Sequence, residues 1–209
     1  MAIHPLGLVD WSGGEASRRT IRGALSELDR LGPDWWCGYS YSWLGNVAAR
    51  AMDGDKAAAA LRTFAECFCL PNSFHVNGDQ TKSGKSKMTY RPFTLEGNFA
   101  FAAAVQEMLL QSHSGVVRVF PAVPGEWQDA SFDSLRAQGA FLVSAKMKAG
   151  RIVEVQVTSE KGGRLKLANP FPGGAYNTSG VAAGTVHDAG PVIEADMRPG
   201  DKILFHIPG

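Results

Sequence analysis

The spacing of the apolar residues changes once along the 209-residue chain, at the "SHSG" stretch of residues 112–115. Before it, as between Glu15 and Leu31, apolar residues recur every three or four positions, which is typical of an amphipathic helix. After it, stretches such as "GAFLVSAKMK" and "RIVEVQVTSE" alternate between apolar and polar residues, as half-buried strands do. The pattern predicts an α+β chain with a helical part over residues 1–115 and an antiparallel, β-sandwich-like domain over residues 116–209.

Start and stop signals divide the two parts into elements. A Gly-Pro step ends the first helix after Leu31, and Asp55 is predicted to be the N-cap of the third. The predicted helices are Glu15–Leu31, 38–52, 55–69 and 98–111. The predicted strands are "VVRVFPAV", "GAFLVSAKMK", "RIVEVQVTSE", "GRLKLANPF" and "KILFHIPG", and the Gly-rich stretch of residues 172–191 is predicted to be a loop.

The composition argues against several classes of function. With 21 basic and 20 acidic residues, the chain shows no charge imbalance that would indicate nucleic acid or an anionic membrane as partner. No apolar run approaches the roughly 20 residues of a membrane helix, and the first residues lack a signal-peptide layout, so we expect a soluble chain. Cys37, Cys67 and Cys69 have no zinc-type spacing and are predicted to be reduced structural thiols. "GDQTKSGKS" misses the spacing of a phosphate loop, and we expect neither metal nor cofactor.

The connection between the third and fourth helices is unusually long. "LPNSFHVNGDQTKSGKSKMTYRPF", residues 70–93, is rich in Asn, Gly, Ser and Lys. Connections of this length inside a compact domain are uncommon and are often functional. His75 lies within it and is a candidate site residue, whereas His113 lies at a predicted helix end, where it would interact with the helix dipole.

The densest group of aromatic residues precedes and opens the second helix. Five aromatics fall within nine residues: Trp35, Trp36, Tyr39, Tyr41 and Trp43. One interpretation is that the rings simply fill the core. Because one helix face cannot bury all five, the other interpretation is that at least one ring stacks on the C–H face of a sugar.

Glu96 lies at the start of the otherwise alanine-rich fourth helix. One interpretation is structural, because a carboxylate in the first turn is stabilised by the helix dipole by about 0.3–1 kcal/mol. The other is catalytic. Tyr90 and Arg91 precede it, Leu95 is apolar and Asn98 follows, and a carboxylate among such neighbours can act as an acid or base.

Residues Trp36–Trp127 resemble the C-terminal part of glycoside hydrolase family 95, the inverting α-L-fucosidases. The matching stretches are "GYSYSWLGNVAARAMDGDKA", "RPFTLEGNFAFAAAVQEMLLQSHSG" and "VRVFPAVPGEW". A weaker similarity continues through "LRAQGAFLVSAKMKAGRIVEVQV". The resemblance implies an (α/α)6 barrel that carries a sugar-binding funnel, with β domains beside it, and the helices here would be the last ones of such a barrel.

The resemblance also implies a mechanism and site residues. In the family, a glutamic acid is the general acid, and asparagine side chains polarised by an aspartate activate the water. Glu96 matches that aspartate and is the candidate catalytic residue, although Glu in its place is longer by one methylene. The resemblance and the local sequence together give these candidate sugar-binding residues: Trp36, Trp43, His75, Tyr90, Arg91 and Asn98. The family's loop histidine is missing at Tyr90 and Arg91, and His75 would compensate for it.

Length is the larger departure from the family. Six helical hairpins need about a dozen helices, and this sequence predicts four. We therefore expect a C-terminal fragment or subunit without the general acid, acting on a terminal fucose or a related sugar of an oligosaccharide. Helix faces that neighbours would cover predict a homo-oligomer or an upstream partner segment. The alternative hypothesis is a non-catalytic carbohydrate-binding or assembly module.

Overall fold

The computed structural model describes residues 1–171, 173, 175–180, 185–188 and 190–208. The chain divides into two compact units. The helical unit comprises Met1–Met108 together with Pro121–Pro124, and the strand unit comprises Leu109–Phe120 together with Gly125–Gly209. The predicted α+β class, helices first and antiparallel strands second, is confirmed.

The described part of the helical unit contains four α-helices and a short 3₁₀ helix at Trp11–Gly13. The α-helices are α1 (Glu15–Leu31), α2 (Gly38–Arg50), α3 (Gly54–Cys67) and α4 (Glu96–Leu109). The predicted bounds of α1 are correct at both ends. The helix ends at Leu31 because Gly32 adopts a φ of 72°. The other three helices each end two residues before the predicted position; α2 ends at Arg50, short of Met52, whose φ is 60°.

Hydrophobic clusters hold the helical unit together, and two of them lie within the described residues. The first joins α1 to α2 and α3 through Ile21, Leu25, Leu44, Val47, Ala51 and Ala60. The second joins α2 to the end of α3 through Tyr41, Phe64, Cys67 and Phe68. Burial of these side chains, at about 25 cal/mol per Å² of apolar surface, is the main stabilising contribution here. Gly45 allows α2 to approach α3, since a Cβ there would lie 2.9 Å from Leu61 Cδ2.

The predicted N-cap of α3, Asp55, is wrong. The Asp53 side chain accepts a hydrogen bond of 3.0 Å from the Lys56 amide and is the cap. The helix begins one residue earlier than the sequence suggested, at Gly54, where a Cβ would lie 2.3 Å from Val123 O. The close approach of this backbone requires glycine at position 54, and Asp53 before it supplies the side-chain oxygen that caps the helix.

The strand unit contains ten strands among the described residues. They are β1 (Leu110–Gln111), β2 (Arg118–Val119), β3 (Ala130–Ala137), β4 (Phe141–Lys148), β5 (Arg151–Ser159), β6 (Gly163–Ala168), β7 (Asn177–Ser179), β8 (Val186–Asp188), β9 (Val192–Met197) and β10 (Lys202–His206). They form a β1-β2 pair, a five-stranded sheet β3-β4-β5-β10-β7 and a three-stranded sheet β6-β9-β8, all antiparallel.

The alternation seen in the sequence corresponds to burial. In β4, Phe141, Val143, Ala145 and Met147 are buried and the residues between them are less so. Val155, Val157, Ile203 and Phe205 continue this buried face, and Leu165, Leu167, Ile193 and Ala195 form the buried face of the other sheet. The period of two therefore predicts correctly which side chains are buried.

The predicted loop over residues 172–191 is wrong in part, because β7 and β8 lie within it. Their residues are largely exposed, so no alternation marks them, and they are held by pairing with β10 and β9. Residues 172, 174, 181–184 and 189 of that prediction lie outside the described residues. Strand β3 also escaped prediction, since its register shifts between Phe132 and Leu135 and Ser134 has a φ of 55°.

None of the described helices has both the length and the apolar character needed to cross a membrane. The β-sandwich-like arrangement of the sheets stays a prediction.

Candidate functional site

The long connection between α3 and α4 is an ordered, irregular hairpin. Its two sides are joined by backbone hydrogen bonds from Gly78 N to Tyr90 O (2.7 Å) and from Asp79 N to Met88 O (2.8 Å). A Cβ on Gly78 would lie 2.5 Å from the Thr89 carbonyl carbon, so only glycine fits where the sides cross. The Tyr41 hydroxyl of α2 donates to Lys85 O at 2.7 Å, and burial raises the pKa of Tyr41 to about 12.

Asp79 fixes the tip of this hairpin. Its buried carboxylate accepts hydrogen bonds from the Thr81 amide (2.9 Å), the Thr81 hydroxyl (2.7 Å), the Ser83 hydroxyl (3.1 Å) and the Lys85 amide (3.2 Å). Burial alone would raise the pKa of Asp79, but the hydrogen bonds outweigh it and hold the pKa below its usual value. The "GDQTKSGKS" stretch is thus a turn organised around a carboxylate.

His75 lies between the starts of two helices. Its side chain is fully buried, and burial lowers the pKa of the imidazole, an effect that the Thr94 carbonyl and the nearby charge of Glu96 partly oppose. A Cβ on Gly38, the first residue of α2, would lie 2.4 Å from His75 Nε2, and one on Gly97 of α4 would lie 2.6 Å from Nδ1. Both helix starts require glycine because the imidazole occupies this space.

Asn98 connects the first turn of α4 to the hairpin. Its Oδ1 accepts from the His75 amide at 2.9 Å, and its Nδ2 donates to Ser73 O at 2.9 Å. Both ends of the carboxamide are therefore used within the protein. The interactions with His75 and Asn98 place the N-terminus of α4 beside that of α2.

An open groove of about 410 Å³ lies where these two helix starts meet. It is lined by Cys37, Tyr39, Asn77, Thr94 and Glu96. These supply a thiol, a phenol, a carboxamide, a hydroxyl and a carboxylate, and no described residue lining the groove is basic. A surface of this kind suits an uncharged ligand with many hydroxyl groups, which can donate to the carboxylate and accept from the amide.

Glu96 is the first residue of α4 and is exposed on the groove wall. Its position in the first turn also satisfies the structural interpretation, since the helix dipole favours a negative charge there. A carboxylate in an open groove can accept a hydrogen bond from water and from a bound ligand. Tyr39, 40% exposed, lies on the same groove with an aromatic face available.

Of the other candidate residues, His75 and Asn98 lie directly behind the groove wall, and the tryptophans do not line the groove. Trp43 packs against the first hydrophobic cluster and its indole N–H donates to His4 O at 3.4 Å. Trp36 is half-buried and meets Tyr41 edge-on, with ring centroids 5.2 Å apart. Both therefore contribute to packing in this structure.

Tyr90 and Arg91 lie on the exposed side of the hairpin. The Tyr90 side chain is 64% exposed, while its backbone carbonyl accepts the hydrogen bond from Gly78 N within the hairpin. Arg91 is exposed as well. Neither side chain lines the groove.

The sequence did not single out Cys37, Asn77 or Thr94 as site residues, and it gave Tyr39 only as one member of the aromatic group. These residues line the groove because each lies next to a helix start or to the crossing of the hairpin, and no apolar periodicity marks such positions. The one sequence feature that could have indicated them was the unusual length of the connection between α3 and α4. Within the described residues, no group of three or more His, Cys, Asp or Glu side chains could hold a metal ion.

A helical unit followed by a strand unit, with a carboxylate-bearing, hydroxyl-complementary groove at the helix starts, is consistent with a carbohydrate-active protein. Comparison with known families makes the class definite. Residues 1–109 match the glycosyl hydrolase family 95 catalytic domain, and residues 111–202 match the glycoside hydrolase family 95 C-terminal domain. The chain belongs to glycoside hydrolase family 95.

One curated relative is "Alpha-L-fucosidase 2" of Arabidopsis thaliana, which is 30% identical over 145 residues. The match covers 68% of this chain and 16% of the relative, so the chain spans a small part of that protein's length. Among solved structures, a GH127 β-L-arabinofuranosidase from Geobacillus stearothermophilus T6 matches 78% of this chain and 28% of its own, with 15% identity and a TM-score of 0.29. So distant a match does not establish a shared fold.

Proposed function

We propose that the groove between the starts of α2 and α4 is part of the sugar site of an inverting α-L-fucosidase or α-L-galactosidase, and that Glu96 is its water-side carboxylate. Glu96 would accept a hydrogen bond from the groups that orient the attacking water. The observation that carries the proposal is the position of Glu96, on the wall of a groove that also presents Tyr39, Asn77 and Thr94.

The chemistry of the groove supports one side of the reaction. Inverting hydrolysis ordinarily uses two carboxyl groups about 6.5–9.5 Å apart, one on each side of the bond. Glu96 is the one carboxylate among the described residues lining the groove. The proposal therefore assigns the general acid to another segment of a family 95 catalytic domain, and hydrolysis would require that segment.

Helix α4 supports the presence of a partner. Its sequence is apolar on nearly every side, yet among its fourteen residues Gly97, Ala104 and Met108 are the buried ones. Phe99 is 67% exposed. A helix that is apolar all round is normally buried, so we propose that α4 packs against further helices of a catalytic domain or against a second copy of this chain.

Fucoside binding tests the proposal directly. In a titration of the ¹⁵N-labelled chain with methyl α-L-fucoside, followed by NMR, we expect shifts at the amides of Tyr39, Asn77, Thr94 and Glu96. Glu96→Gln is expected to weaken binding about 10- to 100-fold, which is the effect of one hydrogen bond to a charged group. Glu66→Gln, at an exposed position of α3, is the matched control and should bind as the wild type does.

The absence of shifts at these four amides would contradict the groove assignment. Equal binding by Glu96→Gln and the wild type would contradict the role of the carboxylate.

The second candidate function is that of a carbohydrate-binding or assembly module without turnover, because a groove with a single carboxylate could bind a sugar without hydrolysing it. An assay in which the remainder of a family 95 catalytic domain is added to the chain distinguishes the two functions. Release of fucose from an aryl α-L-fucoside supports the hydrolase, and binding without release supports the module.

A further inference from the structure

The buried His75 imidazole has one hydrogen-bonded nitrogen and one without a partner. Nδ1 lies 2.7 Å from Thr94 Oγ1 and 3.2 Å from Thr94 O. Nε2 has no hydrogen-bond partner among the described residues and faces Gly38. Because the ring is packed between the starts of α2 and α4, it cannot turn to exchange the two nitrogens without moving either helix.

The partners of Nδ1 determine which nitrogen carries the proton. A carbonyl oxygen can only accept, so the contact with Thr94 O requires a hydrogen on Nδ1. The other tautomer would place an N–H donor at the unpartnered, buried Nε2, and buried donors without acceptors are rare because they are costly. The geometry favours the neutral imidazole with its proton on Nδ1.

This proton affects the groove through Thr94. Nδ1–H is shared between Thr94 O and the nearer Thr94 Oγ1, so the Thr94 hydroxyl must donate its own proton to another acceptor. Asn77 Oδ1 lies 3.4 Å away, which is long for a hydrogen bond between oxygens but is the acceptor that the structure offers. The carboxamide oxygen of Asn77 then faces Thr94, and its NH₂ group is left without a partner among the described residues.

We propose that His75 is a positioning residue of the groove: through the Thr94 hydroxyl it holds the Asn77 carboxamide so that the NH₂ group donates to a ligand hydroxyl beside Glu96. Asn77 would thus be a ligand-contacting residue, although the sequence did not single it out. The ligand in this inference rests on the proposed function, whereas the chain of hydrogen bonds from His75 to Asn77 does not.

The hydrogen-bond chain can be tested without any sugar. Long-range ¹H–¹⁵N NMR of the histidine rings in the 209-residue chain should show His75 at pH 7 as one neutral form protonated at Nδ1. Thr94→Ser keeps the hydroxyl and should retain this signature. Thr94→Val removes the hydroxyl at nearly constant volume and should shift the Nδ1 resonance. A proton on Nε2, or rapid averaging between tautomers in the wild type, would overturn the inference.

The ligand contact is tested by a double-mutant cycle with methyl α-L-fucoside. Thr94→Val and Asn77→Ala should each weaken binding about 3- to 10-fold, as expected for one hydrogen bond. If Thr94 acts through Asn77, Thr94→Val should have less than about a twofold further effect in the Asn77→Ala background. Fully additive losses, or no loss in Thr94→Val, would overturn the positioning role.

If the wild type does not bind the fucoside, the proposed function and the ligand contact fail together. The tautomer measurement still decides whether His75 Nδ1 donates to Thr94, which is the first link of the chain.

Discussion

Glu96 and His75 lie near the same helix start but in opposite environments. Glu96 is exposed on the groove, whereas His75 is fully buried behind it. The sequence predicted Glu96 as a candidate because of its polar and aromatic neighbours and its match to the aspartate of the family that the chain resembles. It could not show that His75 would be inaccessible to ligand, because burial in an irregular hairpin depends on tertiary packing around Gly38 and Gly97.

Stability should depend on pH through His75. Burial lowers its pKa below 6.5, so the unfolded chain takes up a proton before the folded chain does as the pH falls. Stability should therefore be fully present above about pH 6.5 and decline as the pH falls from there toward the lower pKa of the folded state. Urea unfolding between pH 7.5 and 5 measures this decline.

His75→Asn removes the titrating group and should flatten the dependence over this range. His187→Asn, at an exposed position in β8, should leave it unchanged. Asp79 affects stability in a separate, more acidic pH range. Because its pKa is lowered in the folded chain, its contribution to the free energy of unfolding is present above about pH 3.8 and is lost as the pH falls below that value. A wild-type stability that stays constant from pH 7.5 to 5 would contradict the burial of a neutral His75.

At the scale of elements, the sequence predicted all four described helices, and the bounds were correct where an apolar face and a clear stop occur together. α1, with buried Ile21 and Leu25 and the stop at Gly32, is the clearest case. Strands β7 and β8 were missed because exposed strands at sheet edges carry no alternation and depend on pairing with residues distant in sequence. The groove could not be predicted for a related reason, since it arises where two helix starts and a hairpin meet.

A matched pair of glycine substitutions tests the packing of the helix starts. Gly97→Ala should destabilise the chain by about 1–3 kcal/mol, the usual cost of overpacking, because the added Cβ would lie 2.6 Å from His75 Nδ1 and 2.7 Å from Phe64 Cε2. Gly23→Ala, in α1, meets no atom within 4 Å and should stabilise by up to about 1 kcal/mol. Thermal or urea unfolding compares the two, and a neutral Gly97→Ala would argue against the close packing of α4 on His75.

At the scale of the whole molecule, the matches to both family 95 domains establish the family. The chain nevertheless covers only 16% of the length of the relative "Alpha-L-fucosidase 2". Several large apolar side chains of the helical unit are exposed, and some of them lie together on the hairpin and at the start of α4. Phe74 and Phe93 stack with ring centroids 4.9 Å apart at 49% and 50% exposure, and Leu95 and Phe99 are exposed beside them in sequence. Apolar surface of this kind commonly marks an interface.

Association should therefore be measurable. We expect the molar mass from light scattering to rise above 22.4 kDa as the concentration of the chain increases. Phe99→Glu should reduce this association, because it places a charge in the apolar surface. Phe99→Leu keeps the apolar character and is the control. A monomer at every concentration, in all three proteins, would contradict the predicted interface.

The most direct test of the central claim, that Glu96 is the water-side carboxylate of a fucoside-hydrolysing site, is the turnover of an aryl α-L-fucoside. The measurement uses a family 95 catalytic domain that carries this chain's sequence, with Glu96→Gln and the control Glu66→Gln beside the wild type. We expect Glu96→Gln to lower kcat by about 10²- to 10⁴-fold, the usual contribution of a general acid or base, and Glu66→Gln to leave it unchanged. A Glu96→Gln variant with the kcat of the wild type would contradict the claim.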